Sequence, residues 1–336
     1  MILRKPSVYD QFSCIAGKCP DSCCKDWSVA VDPQSAEFYR NLPGPLGQRL
    51  REVLQEEDGD TVLAIENGRC PMWRTDGLCR IQSELSHDAL CVTCQQFPRL
   101  SHDYGNRLEL GLELSCPEAA RLLLTGEETV HTQTTIPGGE PPEYEEADMD
   151  ILLYTRDTAL ALLSDSRYST PEALALLLLY GAHAQALLDG EDVSPFHPVD
   201  ALSSAQQLAT LTNADSASFL SFYANLEILA KSWADRLATP AQAPQWHDAH
   251  RRFAKLSVER YWLQSISDYD LICRVKMTVS GCILTYMLGG DPVQTIQQYS
   301  KEIDNNIDNV DAILDGAYCS SALTDAALLN LLQNLR

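Results

Sequence analysis

The chain has 336 residues, of which 45% are hydrophobic and 21% charged, and its formal net charge is −22 at pH 7. Affinity for nucleic acid comes mainly from clustered Lys and Arg, so this acidity excludes a phosphate-backbone partner and an anionic membrane surface. It favours a positively charged partner, such as a lysine-bearing protein. The simpler interpretation is that the acidity keeps the protein in solution.

No membrane span or export signal is expected. No uninterrupted apolar run reaches the roughly 18 residues of a spanning helix, and Ala173–Leu179 is typical of a buried helix. The basic residues within Met1–Asp10 are not followed by an apolar stretch, so this segment does not resemble a secretory signal. The sequence therefore predicts a cytoplasmic protein.

The sequence predicts a mainly α fold in which a cysteine-rich unit precedes an α-helical bundle. The first unit, residues 1–126, is rich in turns and short elements, including a small hairpin. Its predicted helices are Ser35–Leu42, Leu46–Glu56, Glu84–Phe97 and Pro117–Leu124. Its predicted strands are Trp27–Val31 and Leu108–Leu114.

Residues 127–150 form a predicted linker, because they combine Pro and Gly with an acidic run. Residues 151–336 form the second unit, where apolar residues recur at three- and four-residue steps. This periodicity predicts seven or eight helices. The clearest predicted spans start at Thr170 and at Asp291-Pro292 or cover Phe219–Leu237, Phe253–Ile266 and Leu271–Leu288.

Cysteine is the informative residue type, since nine of the 12 cysteines lie between Cys14 and Cys116. In a reducing compartment such clustering favours metal thiolates over disulfides. Thiolates suit zinc, iron–sulfur clusters or copper(I), and these remain open from spacing alone. Only Cys91 and Cys94 have the spacing of a zinc-finger pair, so an ordinary zinc ribbon is not supported.

Four motifs in order resemble the flagellin lysine-N-methylase family, which lies within the wider set of zinc- or iron-chelating CxxCxxCC proteins. The motifs are CIAGKCPDSCC with a Trp three residues later, CPMW followed by GLCRIQSEL, TCQQFPR, and LELSCPEAARLLL. The resemblance covers residues 12–124. The first cysteine spacing departs from the strict pattern of the wider set.

The resemblance implies an iron–sulfur cluster of the four-iron type and methyl transfer from S-adenosylmethionine to lysines of flagellin or a related surface protein. Eight cysteines fall on the family pattern and are the implied metal ligands: Cys14, Cys19, Cys23, Cys24, Cys70, Cys79, Cys94 and Cys116. Cys91 is a spare thiol. A four-iron cluster takes four thiolates, so the remaining thiols either hold a second metal or pack structurally.

Two other functions stay open: a non-catalytic metal or cluster carrier, and a zinc-stabilised interaction module. No G-x-G-x-x-G turn follows a strand, so a doubly wound methyltransferase domain is not expected. Catalytic residues and oligomeric state are not assigned. Side chains considered and interpreted as packing, surface or core residues are Glu259, Tyr261, His87, His102, His247, His250, Cys273, Cys282 and Cys319.

Overall fold

The structure is a computed structural model that describes residues 1–57 and 59–335. Helices dominate it, and the described strands form only two small sheets, so the mainly α prediction is confirmed. The strands are β1 (Ile2–Pro6), β2 (Val29–Ala30), β3 (Leu54–Glu57), β4 (Asp60–Leu63), β5 (Arg99–Asp103), β6 (Arg107–Leu112) and β7 (His131–Thr135).

The larger sheet has the order β5-β6-β1-β7, and the smaller has the order β2-β4-β3. In the larger sheet β1 pairs in parallel with β6 and antiparallel with β7. The two predicted strands are present as β2 and β6. The other described strands were not predicted. Strands β1 and β7 lack the apolar alternation of a half-buried strand, and β3 takes the last residues of the helix predicted for Leu46–Glu56, which ends at Val53.

Five α-helices lie in the described part of the first unit: α1 (Pro33–Asn41), α2 (Gly44–Val53), α3 (Arg80–Glu84), α4 (Val92–Gln96) and α5 (Pro117–Thr125). The continuous helix predicted for Glu84–Phe97 is wrong. Leu85 and Ser86 leave the helical conformation after α3, and α4 starts afresh. Asp32 fixes that new start, because its carboxylate accepts a hydrogen bond from the Val92 amide at 3.0 Å.

The described C-terminal part contains ten α-helices rather than seven or eight. They are α6 (Glu146–Ser164), α7 (Thr170–Leu188), α8 (Pro198–Ala209), α9 (Ser216–Ala224), α10 (Lys231–Ala238), α11 (Asp248–Tyr261), α12 (Leu271–Leu288), α13 (Pro292–Tyr299), α14 (Ile307–Cys319) and α15 (Asp325–Asn334). The single helix predicted for Phe219–Leu237 is α9 plus α10. The chain between them is stabilised by the buried Glu302 carboxylate, which accepts hydrogen bonds from the amides of Leu229 and Ala230.

The buried apolar residues form two clusters. The first core joins Val8, Phe12, the end of β6 and α5 to the C-terminal helices. The second core lies within residues 29–91, between α1, α2, the smaller sheet and the cysteines of the first unit. The first core thus crosses from the N-terminal part of the chain into the helical part.

A buried charge network fastens the larger sheet to the helices. Arg4 on β1 binds both oxygens of Glu259 on α11, at 2.5 and 2.8 Å. Arg156 on α6 binds both oxygens of Glu109 on β6, at 2.7 and 3.1 Å. Buried charges are costly unless they are paired, and these bidentate pairs supply the compensation.

Segment 127–150 is partly ordered into elements. It contributes β7, which pairs with β1 along Ile2–Pro6, and the first turn of α6. The predicted division of the chain at residues 126 and 150 remains a prediction. By length and composition alone, α7 and α12 in the described chain are apolar enough to cross a membrane, yet both are mostly buried in the protein.

Candidate thiol-rich site and adjoining cleft

The first four cysteines lie on one irregular loop. A 3-10 turn, Ala16–Lys18, separates Cys14 from Cys19, and Ala16 has a positive φ of 49°. Cys14 and Cys23 are exposed, whereas Cys19 and Cys24 are half-buried. All four thiols are free, and such a loop can present several sulfurs without the constraint of a regular helix.

The middle cysteines gather around the second core. The Cys70 amide donates to the Cys24 carbonyl at 2.8 Å, which brings the end of the loop to the CPMW motif. An isolated bridge pairs Cys79 with Trp73. Cys79 and Cys91 are the N-cap residues of α3 and α4, and Cys94 lies in α4. Cys70 and Cys91 are buried in this core, and Cys24, Cys79 and Cys94 pack against it.

The pKa shifts of these thiols reflect their closeness to one another. The Cys23 thiol lowers the pKa of Cys24, but the Cys70 thiol and burial outweigh it and raise that pKa to about 12. The Cys94 thiol lowers the pKa of Cys91 to about 7. Its partner shifts oppositely, because the Cys91 thiol and burial raise the pKa of Cys94. The opposite shifts of Cys91 and Cys94 indicate that their two sulfurs lie close together.

The outer cysteines show a second neighbourhood. Burial, together with the nearby Cys14 and Cys23 thiols, raises the pKa of Cys19. Cys116 is the N-cap residue of α5 and belongs to the first core. Burial raises its pKa to about 11, and the Cys19 and Cys23 thiols add to that rise. Cys116 therefore lies near the loop cysteines, although about a hundred residues separate them in sequence.

The cysteines fit a thiolate-bound centre by the chemistry of their donors, since soft sulfur ligands are present in excess. Over residues 1–57 and 59–335, no group of three or more His, Cys, Asp or Glu side chains is arranged to hold a metal ion. The assignment of Cys14, Cys19, Cys23, Cys24, Cys70, Cys79, Cys94 and Cys116 as ligands remains a prediction.

A cleft of about 620 Å³ opens beside the cysteine loop. One wall comes from Ile15 to Asp26, a second from one side of α5, and a third from α10, α13 and the turn after α13. This volume lies in the range of about 300–1,000 Å³ that small-molecule sites occupy. Residues between Cys19 and Cys23, and the residue after Cys116, thus line one binding-sized space.

An ammonium group already lies between two carboxylates in this cleft. Lys301 Nζ donates to Asp21 Oδ2 at 3.1 Å and to Asp26 Oδ2 at 3.0 Å, and it lies 5.0 Å from the centre of the Trp27 ring. Burial raises the pKa of Asp21, but Lys301 and the Ser22 amide outweigh it, so the net pKa lies below its ordinary value. Asp21 is therefore ionised at neutral pH.

Lys301 and Glu302 belong to a π-helical turn, Ser300–Asp304, that follows α13. Such turns are rare and occur often at functional sites. Glu302 is 1% exposed, and burial raises its pKa even though the amides of Leu229 and Ala230 stabilise its charge. The turn directs the Lys301 ammonium toward the cysteine loop and the Glu302 carboxylate toward the residues before α10.

The remaining candidates from the sequence have other roles. Glu259 pairs with Arg4, and the Tyr261 hydroxyl donates to Asp304 at 2.9 Å, so both serve packing. His250 is 2% exposed rather than on the surface, because it packs as the third residue of α11 against Trp246. Cys273 and Cys282 are core residues as predicted, but Cys319 is exposed at the end of α14.

Sequence reasoning missed Asp21, Asp26, Lys301 and Glu302. The two aspartates lie inside the recognised cysteine motif, which was the available signal. Lys301 and Glu302 carried none, because they follow an ordinary amphipathic helix and lie about 280 residues from the loop in sequence. Fold and site together define a mainly α-helical protein with a thiol-rich N-terminal part beside a cleft.

The chain is similar in sequence to known proteins of Salmonella. The chain is 28% identical over 206 residues to a lysine-N-methylase of Salmonella typhimurium, a match that covers 57% of this chain and 50% of that protein. A lysine-N-methylase of Salmonella choleraesuis matches to the same extent. The flagellar biosynthetic protein FliU of Salmonella muenchen is 31% identical over 129 residues, which cover 36% of this chain and 76% of FliU.

The chain therefore belongs to the family of the lysine-N-methylases and FliU, and the resemblance found in the motifs is confirmed. The match spans about half the length of the lysine-N-methylases. No protein-family model and no solved structure matches the chain.

Proposed function

We propose that the protein is a cytoplasmic protein-lysine N-methyltransferase that uses S-adenosylmethionine, carries an iron–sulfur cluster on its cysteines, and acts on flagellin or a related surface protein. Family membership carries the proposal, because the relatives are named lysine-N-methylase and a flagellar biosynthetic protein. The cleft beside the cysteine loop supports it, since it offers a space of suitable size next to the thiols.

The reaction forms a carbon–nitrogen bond at a neutral lysine amine and releases S-adenosylhomocysteine and a proton. S-adenosylmethionine supplies the electrophilic methyl group, and a bound iron–sulfur cluster supplies a redox-active centre. The protein must hold the lysine, remove water and accept its proton, because a lysine amine is charged at neutral pH.

The cleft contains groups suited to the lysine. Asp21 and Asp26 already bind one ammonium group, that of Lys301, so an incoming lysine reaches this pair of carboxylates only by displacing Lys301 Nζ. Glu302 is a buried carboxylate whose pKa is raised by burial, and it lines the same cleft as a candidate proton acceptor. The net charge of −22 attracts a lysine-bearing protein over longer distances.

The test is methyl transfer from radiolabelled S-adenosylmethionine to flagellin, with protein purified anaerobically and analysed for iron, sulfide and zinc. A Ser232→Trp variant fills the cleft from an exposed position at the start of α10. We expect it to weaken S-adenosylmethionine binding at least about tenfold, measured by calorimetry, because the indole fills the cleft in which we propose that the cofactor binds beside the lysine. The matched control is Ser203→Trp, an exposed helical serine on α8 away from the cleft.

Equal iron and sulfide, labelled lysines and a loss of binding in Ser232→Trp alone would support the proposal. A metal-loaded protein that neither binds S-adenosylmethionine nor labels flagellin would contradict the enzyme function and favour a metal carrier. Zinc without iron, retained after attempted cluster reconstitution, would favour a zinc-stabilised interaction module.

A further inference from the structure

We propose that Arg236, which lines the cleft beside the cysteine loop, binds the carboxylate of the ligand that enters this cleft. For the proposed function that ligand is S-adenosylmethionine, and the group is the α-carboxylate of its methionine part. The inference rests on the proposed function and deepens it, because it names the residue and the chemical group through which the methyl donor is recognised.

The guanidinium of Arg236 is held in place but is not used up. The residue lies in the last turn of α10. Its Nη1 donates to Gln298 Oε1 at 2.8 Å, and its Nη2 donates to the Gly289 carbonyl at 2.8 Å and to Thr295 Oγ1 at 2.7 Å. These bonds fix the side chain between α10 and the turn that joins α12 to α13. Because a guanidinium has five N–H donors, the Nε–H and one Nη1–H remain for a ligand.

The charge of Arg236 has no carboxylate partner in the part of the chain that the structure describes, since its three hydrogen-bond partners are neutral. Burial lowers the pKa of Arg236, whereas the pKa of Arg121 in the same cleft is raised by its neighbour Glu118. The other cations that line the described cleft each bind a carboxylate: Arg121 binds Glu118, and Lys25 and Lys301 bind Asp21. Arg236 is therefore the cation that is available to an anionic ligand.

A half-buried guanidinium without a counter-ion suits a carboxylate. Partial removal of a charge from water costs free energy, and an opposite charge with a hydrogen bond offsets that cost. The methionine part of S-adenosylmethionine carries such a carboxylate, and the side chain of a lysine substrate does not. Asp21 and Asp26 lie on the wall formed by the cysteine loop, whereas Arg236 lies on the wall formed by α10. A carboxylate and a lysine ammonium would thus bind at different walls of the cleft.

Calorimetric titration of the anaerobically purified full chain tests the assignment with two ligands, S-adenosylmethionine and its decarboxylated analogue. We expect the wild type to bind S-adenosylmethionine at least about tenfold more tightly than the analogue. Arg236→Met should weaken the binding of S-adenosylmethionine at least about tenfold and leave the affinity for the analogue nearly unchanged, because the lost hydrogen bond is to the carboxylate. Arg236→Lys keeps the charge and should lose less affinity than Arg236→Met.

Arg167→Met is the control for the loss of a positive charge, because Arg167 is exposed and lies outside the cleft. It should bind both ligands like the wild type, and circular dichroism of each variant checks folding. The comparison of the two ligands on the wild type needs no variant, and equal affinities there would overturn the assignment.

Two results with Arg236→Met would also overturn the assignment and leave the proposed function standing. One is an unchanged affinity for S-adenosylmethionine, and the other is an equal weakening of both ligands, which would mean that Arg236 only shapes the cleft. A wild type that does not bind S-adenosylmethionine would contradict the methyl donor of the proposed function and overturn this inference with it.

Discussion

His250 illustrates how burial determines the behaviour of a single residue. Its ring is 2% exposed, its Nδ1 accepts a hydrogen bond from the His247 amide at 3.0 Å, and it packs against Trp246 and Tyr286. Burial, the largest influence, lowers the pKa of His250 to about 4. The sequence alone favoured an exposed side chain, because two histidines three residues apart at a helix start give no sign of what covers them.

The pKa of His250 predicts acid sensitivity. The folded-state pKa of about 4 lies below the unfolded value of about 6.5, so the unfolded chain binds the proton at higher pH. The contribution of His250 to the free energy of unfolding is therefore fully present above pH ~6.5. It is lost as the pH falls toward ~4, by up to about 3 kcal/mol. Urea unfolding at several pH values should show a shallower loss in His250→Gln, while His87→Gln, an exposed control, follows the wild type. Equal pH slopes in His250→Gln and the wild type would contradict this assignment.

At the scale of elements, the sequence predicted helices best where local signals and packing agree. The helix at Thr170 starts with a capping box between Ser169 and Glu172, and Asp291 caps α13 as expected. Predictions failed where a distant side chain decides a boundary, as Asp32 does for α4 and Glu302 does for the segment between α9 and α10. Periodicity cannot detect a cap that comes from dozens of residues away.

Gly181 lies where α7 packs against α12. We expect its substitution by Ala to destabilise the protein, although helix propensity alone predicts a stabilisation. A Cβ atom at Gly181 would lie 2.7 Å from Val275 Cγ1 and 2.8 Å from Cγ2, both in the core. Gly181→Ala gains about 1 kcal/mol of helix propensity, but overpacking costs about 1–3 kcal/mol. We expect a net loss of about 1 kcal/mol in urea unfolding.

Val275→Ala is the matched background for this prediction, because it removes the two closest atoms and leaves Val275 Cβ, 3.0 Å from the new Cβ, which a shift of a few tenths of an ångström relieves. In that background Gly181→Ala should stabilise the protein by about 1 kcal/mol. The double-mutant cycle should therefore show a favourable coupling of about 2 kcal/mol. Equal stabilisation by Gly181→Ala in both backgrounds would show that the helices move apart without cost.

At the scale of the whole molecule, the family and the predominance of helices could be predicted from the sequence, whereas the assembly could not. The four motifs are local and ordered, and the periodicity after residue 151 is strong. The larger sheet joins β1, β5–β6 and β7 from three distant stretches, and its pairing depends on tertiary packing. The cleft similarly depends on contacts such as that of Asp21 with Lys301, which no local pattern encodes.

The presence of two cores predicts how the molecule responds to metal removal. The second core is small and includes Cys70 and Cys91, with Cys24, Cys79 and Cys94 packed against it, whereas the first core is built mainly from long apolar helices. Because ligation and folding are coupled, anaerobic chelation should loosen the region between Cys24 and Cys94 and leave α7 and α12 protected. Hydrogen exchange followed by mass spectrometry measures both regions in one experiment. Raised exchange throughout α12 would instead mean that the two cores unfold as one cooperative unit.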